Sequence, residues 1–215
     1  MKVLITGFDK FGGESINPSS LCVNSLPDVI DNIEIKKITL PTVFKDSSRV
    51  LEENIDSFSP NIVICIGQAG GRSKITPERI AINIDDARIP DNIGNSPIDE
   101  AIRKDGENAY FSTLPIKAIV DELNKNNIPS AISNTAGTFV CNHIMYEILY
   151  LSKTKFNNIS AGFIHIPYIR EQVKNKPNTP FMELEMIIDA LKIIIETSAE
   201  FYQRNDIKIT GGYEH

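Results

Sequence analysis

A chain of 215 residues, 41% hydrophobic and 23% charged, carries enough apolar content to bury a sizeable core, which excludes a disordered chain and suits one domain over residues 1–215. Its 28 acidic and 22 basic residues leave a net charge of -6 with no dense Lys/Arg block, which argues against a nucleic-acid partner. No stretch approaches the roughly 18 apolar residues of a membrane helix, and the wide spacing of Cys22, Cys65 and Cys141 excludes a disulfide framework and a CxxC metal site, so a reducing cytoplasm is the expected compartment.

The first apolar run, residues 3–6 of MKVLITGF, reads as a buried strand rather than the core of a signal peptide. Residues 41–58 place Val43, Phe44, Val50, Leu51, Ile55 and Phe58 at helical spacing, and 62–66 form a second central strand. Residues 80–84 alternate like a half-exposed strand, and 87–97, ARIPDNIGNSP, are rich in turn formers; together they read as an antiparallel ribbon or a long functional loop. Ile116, Ile119, Val120 and Leu123 mark a helix within 114–127. A further helix starting at Asn142 carries Ile144, Met145, Ile148, Leu149 and Leu151 on its apolar side. Residues 161–166 are the third continuous apolar run, KNKPNTP at 174–180 reads as a surface loop, and 181–202 as a closing helix with Leu184, Ile187, Ile188, Leu191, Ile194 and Ile195. This β-α-β-α order predicts an α/β fold, a mostly parallel sheet with helices on both faces, whose functional residues gather where the strands end.

The stretch TAGTFVCNH sets Cys141 two residues before His143 at a helix start. Residues two apart lie about 200° apart around a helix, so these side chains cannot meet on one face. His143 shares its direction with Glu147 and Tyr150 and is expected to be a surface or hydrogen-bonding residue. Unpaired N–H groups at a helix start can lower a thiol pKa and hold an oxyanion, although a lone cysteine is also often a buried structural thiol. His215 is the last residue and expected to fray, whereas His165, near the end of a buried strand in GFIHIPYI, would reach the functional edge of the sheet if it is not a satisfied core histidine. A carboxylate would orient that imidazole, with Glu78, Asp85 and Asp86 as candidates between which periodicity does not choose.

The segments GFDKFGGESINPS, PTVF, GQAGGRSKITPERIAIN, ARIPDNIGNSP, TAGTFVCNH and GFIHIPYI, in this order along nearly the whole chain, resemble the pyroglutamyl peptidase I (pyrrolidone-carboxylate peptidase) family of cysteine peptidases. The resemblance implies a single-domain α/β/α sandwich with a mostly parallel, mixed central sheet, similar to that of the purine nucleoside phosphorylases. It also implies removal of N-terminal 5-oxoproline from peptides through a thioester, by a triad of Glu78, Cys141 and His165, with Arg88 at the oxyanion. Phe8, Phe11, Ile89, Phe139 and Val140 are implied as walls of the lactam pocket, with Asn17 and Gln68 as polar or backbone partners. No metal or organic cofactor enters the scheme, and the family is generally intracellular and often a homotetramer. Lys10 stands where the family commonly has proline, which bears on the stiffness of the first loop. Two rival readings are a phosphorylase-like nucleoside enzyme using GQAGGR as a phosphate cradle, and a binding protein that has lost turnover; the weak glycine pattern argues against the first, and the intact triad against the second.

Overall fold

The computed structural model describes residues 1–212, so His215 lies outside the described residues. In chain order the elements are β1 (Lys2–Phe8), α1 (Pro18–Asn24), β2 (Val29–Ile30), β3 (Ile33–Leu40), α2 (Phe44–Phe58), β4 (Ile62–Gln68), β5 (Thr76–Pro77), β6 (Ile80–Ile82) and β7 (Ala109–Phe111). They continue with α3 (Ile116–Lys125), α4 (Val140–Thr154), β8 (Ser160–Ile166), β9 (Tyr168–Ile169), α5 (Arg170–Val173), β10 (Phe181–Met182) and α6 (Leu184–Glu200). The main sheet runs β2-β3-β1-β4-β8-β5; its four inner strands are parallel, and the short edge strands β2 and β5 are antiparallel to their neighbours.

Side-chain alternation decides what each face of this sheet holds. Val3, Ile5, Ile62, Ile64, Ile66, Ile164 and Ile166 point to one side and pack with Cys22 of α1, Ile119 and Leu123 of α3, and Ile187 and Leu191 of α6. Leu4, Phe8, Val63, Cys65, Ala161 and Phe163 point to the other, against Leu51 and Ile55 of α2 and Ile144, Met145 and Ile148 of α4. His165 has the parity of Ala161 and Phe163, so it projects toward the layer of α2 and α4. Because the inner strands are parallel, their C-terminal ends lie at one edge, where Gly67 pairs with His165 and Gln68 with Ile166.

Several boundaries differ from the sequence expectation. The helix expected from residue 41 starts at Phe44, after an entry segment in which the Thr42 N–H donates to Asp9 Oδ1 at 2.8 Å. The closing helix starts at Leu184, because Phe181–Met182 pairs in parallel with Tyr168–Ile169 instead. The helix expected from Asn142 starts at Val140. β3 is an added strand: Ile33 and Ile35 are buried and Glu34 between them is exposed, before the alternation breaks at Lys36 and Lys37. Residues 87–97 form no strand, and Ile80–Ile82 pairs antiparallel with Ala109–Phe111 instead, Ile80 opposite Phe111 and Ile82 opposite Ala109. Among the described residues no helix is long and apolar enough to cross a membrane.

Candidate active site

Three backbone segments converge at the C-terminal edge of the sheet. β8 brings His165, and β5 pairs antiparallel to it with Thr76 opposite His165 and Pro77 opposite Ile164. The chain leaves β5 at Glu78, whose N–H donates to the Phe163 carbonyl at 2.9 Å, so two residues of strand deliver the carboxylate to the imidazole. His165 Nδ1 lies 2.7 Å from Glu78 Oε1, with the histidine 5% exposed and the glutamate fully buried. An ionised carboxylate only accepts, so Nδ1 carries the proton and Nε2 of the neutral ring is the free acceptor. Of the three carboxylates left open by periodicity, Glu78 is the one that meets His165.

Cys141 enters from α4, in its first turn. Phe139 is the N-cap in extended conformation, and no side chain caps this helix start. The first N–H groups of the helix are therefore available to a ligand oxygen. Gly67 makes the approach possible: a Cβ there would stand 3.1 Å from Cys141 Sγ and 2.5 Å from the Phe163 ring. That packing, with the positive φ of 90° at Gly71, accounts for glycines of the GQAGGR stretch through close approach and turning, without a phosphate.

Cys141 and His165 both line a cleft of about 740 Å³ together with Arg72, Asp86, Arg88, Ile89 and the 135–139 segment. Cys141 also borders a smaller recess formed by Phe8, Phe11, Asn17, Thr42, Gln68, Phe139 and Val140. Six of the seven residues named for the lactam pocket thus meet in one recess beside the thiol, while Ile89 sits with Arg88 in the outer cleft, both exposed. The aromatic walls brace one another, with Phe139 6.4 Å from Phe11 and edge-on to Phe44 at 5.3 Å, and Phe8 6.3 Å from Phe163. Asn17 has its side chain committed to the fold: Oδ1 accepts from the Ser19 N–H and hydroxyl to cap α1, and Nδ2 donates to the Asp9 carbonyl at 2.8 Å. It therefore holds the Phe8–Asp9 turn in place. Gln68 is braced in turn, since its Oε1 accepts from Gln172 Nε2 at 2.7 Å.

The electrostatics differ from those expected of a helix-start thiol. Burial pushes Cys141 up to about 12, the charge of Glu78 adds to this, and Arg72 opposes it, so desolvation is the largest influence on the thiol. For Glu78, burial acts upward but is outweighed by the hydrogen bond and charge of His165, with Ser133 and Arg72 helping, and its carboxyl is held below the usual range. The Ser133 hydroxyl donates to the Thr135 carbonyl at 3.0 Å, and Glu78 Oε2 makes no hydrogen bond among the described residues. Arg72, not singled out in the sequence, donates from Nη1 to Glu78 Oε1 at 2.6 Å. It stands in a loop where no periodicity marks it; the cue available was a lone arginine one residue past the GG pair.

His143 lies elsewhere. It is hydrogen-bonded as expected but buried rather than superficial, with Nδ1 2.8 Å from Asp85 Oδ2 and Nε2 2.9 Å from Ser48 Oγ, because α2 and the loop at Asp85 cover that face of α4. Its replacement by alanine is expected to retain turnover while destabilising the fold on the order of 2 kcal/mol, since the Asp85 carboxylate loses its partner. Denaturant unfolding beside a turnover assay checks this, and lost turnover in a folded variant would contradict it.

The family model described as pyroglutamyl peptidase matches residues 1–201. The pyrrolidone-carboxylate peptidase of Clostridium perfringens (strain SM101 / Type A) is 58% identical over 212 residues, 99% of each chain. That of Brachyspira hyodysenteriae is 62% identical over 198 residues, 92% of this chain and 98% of the relative. Among solved structures, pyroglutamyl peptidase I of Bacillus amyloliquefaciens superposes with a TM-score of 0.94 at 49% identity, covering 97% of this chain and 99% of the other. The pyrrolidone carboxyl peptidase of Thermococcus litoralis gives the same TM-score, 0.94, at 43% identity with the same coverage, 97% and 99%.

Proposed function

Because the chain belongs to the pyroglutamyl peptidase family, we propose that its single domain, residues 1–215, removes N-terminal pyroglutamate from peptides with Cys141 as nucleophile, His165 as acid and base, and Glu78 as the group that orients it. The observation that carries the reading is the position of Cys141 where the aromatic recess meets the cleft. The recess encloses only about 20 Å³, so a flat lactam ring enters it as the aromatic walls part; its exocyclic carbonyl then meets the sulfur and the rest of the peptide runs into the cleft. A lactam has no ammonium for a carboxylate to grip, so apolar walls with a few main-chain polar groups suit it.

The chemistry follows from the protonation states. Burial acts to keep the proton on the Cys141 thiol, so in this reading that proton passes to His165 Nε2 as the sulfur–carbon bond forms. The oxyanion falls to the free N–H groups at the start of α4, with Arg88 at the rim adding positive charge. The imidazolium, held by Glu78, returns the proton to the departing amine as the carbon–nitrogen bond breaks, leaving a thioester on Cys141. His165 then takes a proton from water, the resulting hydroxide attacks the thioester carbonyl, and release of 5-oxoproline restores the thiol.

Release of a fluorophore from a pyroglutamyl amide, compared with glutaminyl and prolyl amides, tests the activity. Turnover is expected for the pyroglutamyl compound alone, and none by folded, reduced protein would overturn the reading. A cytoplasmic homo-oligomer, as the family resemblance implies, completes the proposal, and a monomer in sedimentation equilibrium at micromolar concentration would count against it.

A further inference from the structure

We propose that Arg72 is a positioning residue of this reaction, whose guanidinium neutralises Glu78 and so keeps His165 unprotonated and ready to receive the thiol proton. The inference rests on the peptidase reading above. Its geometry is specific: one nitrogen, Arg72 Nη1, donates to Glu78 Oε1 and to Thr76 Oγ1, each at 2.6 Å, and Nη2 lies 3.4 Å from the Thr135 carbonyl. The oxygen that accepts from Arg72 is the one that faces His165 Nδ1 at 2.7 Å. Thr76, the second anchor of Arg72, is the strand partner of His165. The guanidinium is thus anchored to Glu78 and to the strand residue paired with His165, while its own side chain, 32% exposed, reaches the cleft.

A buried carboxylate that faces an imidazole with no other partner favours the imidazolium, because an opposite charge within about 4–6 Å stabilises the charged form. A protonated His165 has no lone pair for the Cys141 proton. Arg72 supplies a permanent positive charge to the same oxygen, so a second one on His165 gains less. The charge also acts to lower both Glu78 and Cys141. The other charged groups lining the cleft are Asp86 and Arg88, of opposite sign; Cys141 lines it beside His165, and the Phe163 ring lies 4.8 Å from the His165 ring.

The test is the pH dependence of kcat/KM for a pyroglutamyl amide in wild type, Arg72→Gln, Arg72→Lys and Thr76→Val, each checked for folding by circular dichroism. In R72Q the acidic limb, where His165 becomes protonated, is expected to move up by about 1 pH unit. In R72K the limb stays near that of wild type while kcat falls, because the charge remains and the fork geometry is lost. A purely structural role would lower stability and rate at every pH with the limb fixed. A folded R72Q whose limb coincides with wild type, or an R72K whose limb moves as far as that of R72Q, overturns the proposal. If R72Q does not fold, T76V loosens the guanidinium without removing it and is expected to move the limb by a smaller step in the same direction; an unmoved limb there overturns it equally. Absence of turnover in wild type would instead overturn the peptidase reading itself.

Discussion

Cys141→Ser is expected to lower kcat/KM by at least ~10³-fold with the fold intact. The exchange keeps the side chain's size in a site where Gly67 leaves little room, so packing is not the source of the loss. In the proposed mechanism it removes the group that forms the thioester and leaves a weaker nucleophile with a much higher pKa. Binding should survive, because the recess walls and the helix-start N–H groups are untouched. The expected pattern is therefore a loss in kcat with a nearly unchanged affinity for 5-oxoproline, read by steady-state kinetics beside product binding. A serine variant that retains a tenth of wild-type turnover would remove Cys141 from the mechanism even if the activity were as described.

His165→Ala is expected to cost on the order of 10²–10⁴-fold in kcat, since in the proposed mechanism one imidazole serves as base in both halves of the reaction and as acid in the first. The high thiol pKa sharpens this expectation, because without the imidazole little thiolate forms at neutral pH. Raising the pH should restore part of the His165→Ala activity as the thiol ionises on its own, whereas no such recovery is expected for Cys141→Ser. A loss in His165→Ala no greater than in His143→Ala, with both proteins folded, would contradict the division of labour between the two histidines. That division is already visible in their partners: Glu78 in the cleft for His165, Asp85 and Ser48 beneath the covered face of α4 for His143.

The sequence marked the strands buried on both faces most clearly. β1, β4 and β8 are unbroken apolar runs because helices cover both sides of the sheet, and each ends in a residue of the site or next to one: Phe8, Gln68 and His165. β3 was less legible, since Lys36 and Lys37 interrupt its alternation where the strand becomes partly exposed. β5 left no periodic trace at all. Two residues cannot display a period, yet their pairing with β8 carries Glu78 to His165, so the carboxylate was identified by family resemblance and not by pattern. The angular argument separated Cys141 from His143, because that depends only on helix geometry. It could not foresee that the far face of α4 is itself covered, which made a surface residue into a buried one. Arg72 was hidden for a similar reason: its role depends on which carboxylate a loop residue meets in space, and Glu78 is six positions away across a strand too short to predict.

The claim that joins recess, cleft and helix start is that the pyroglutamyl carbonyl is delivered to the sulfur of Cys141. A pyroglutamyl halomethyl ketone, in which the scissile amide is replaced by an alkylating group, would test this most directly when the inactivated protein is digested and its peptides are sequenced by mass spectrometry. The expected result is one label per chain on Cys141, with inactivation in step with labelling and protection by 5-oxoproline. Complete inactivation with the label on any other residue, or full activity after stoichiometric labelling of Cys141, would contradict the account.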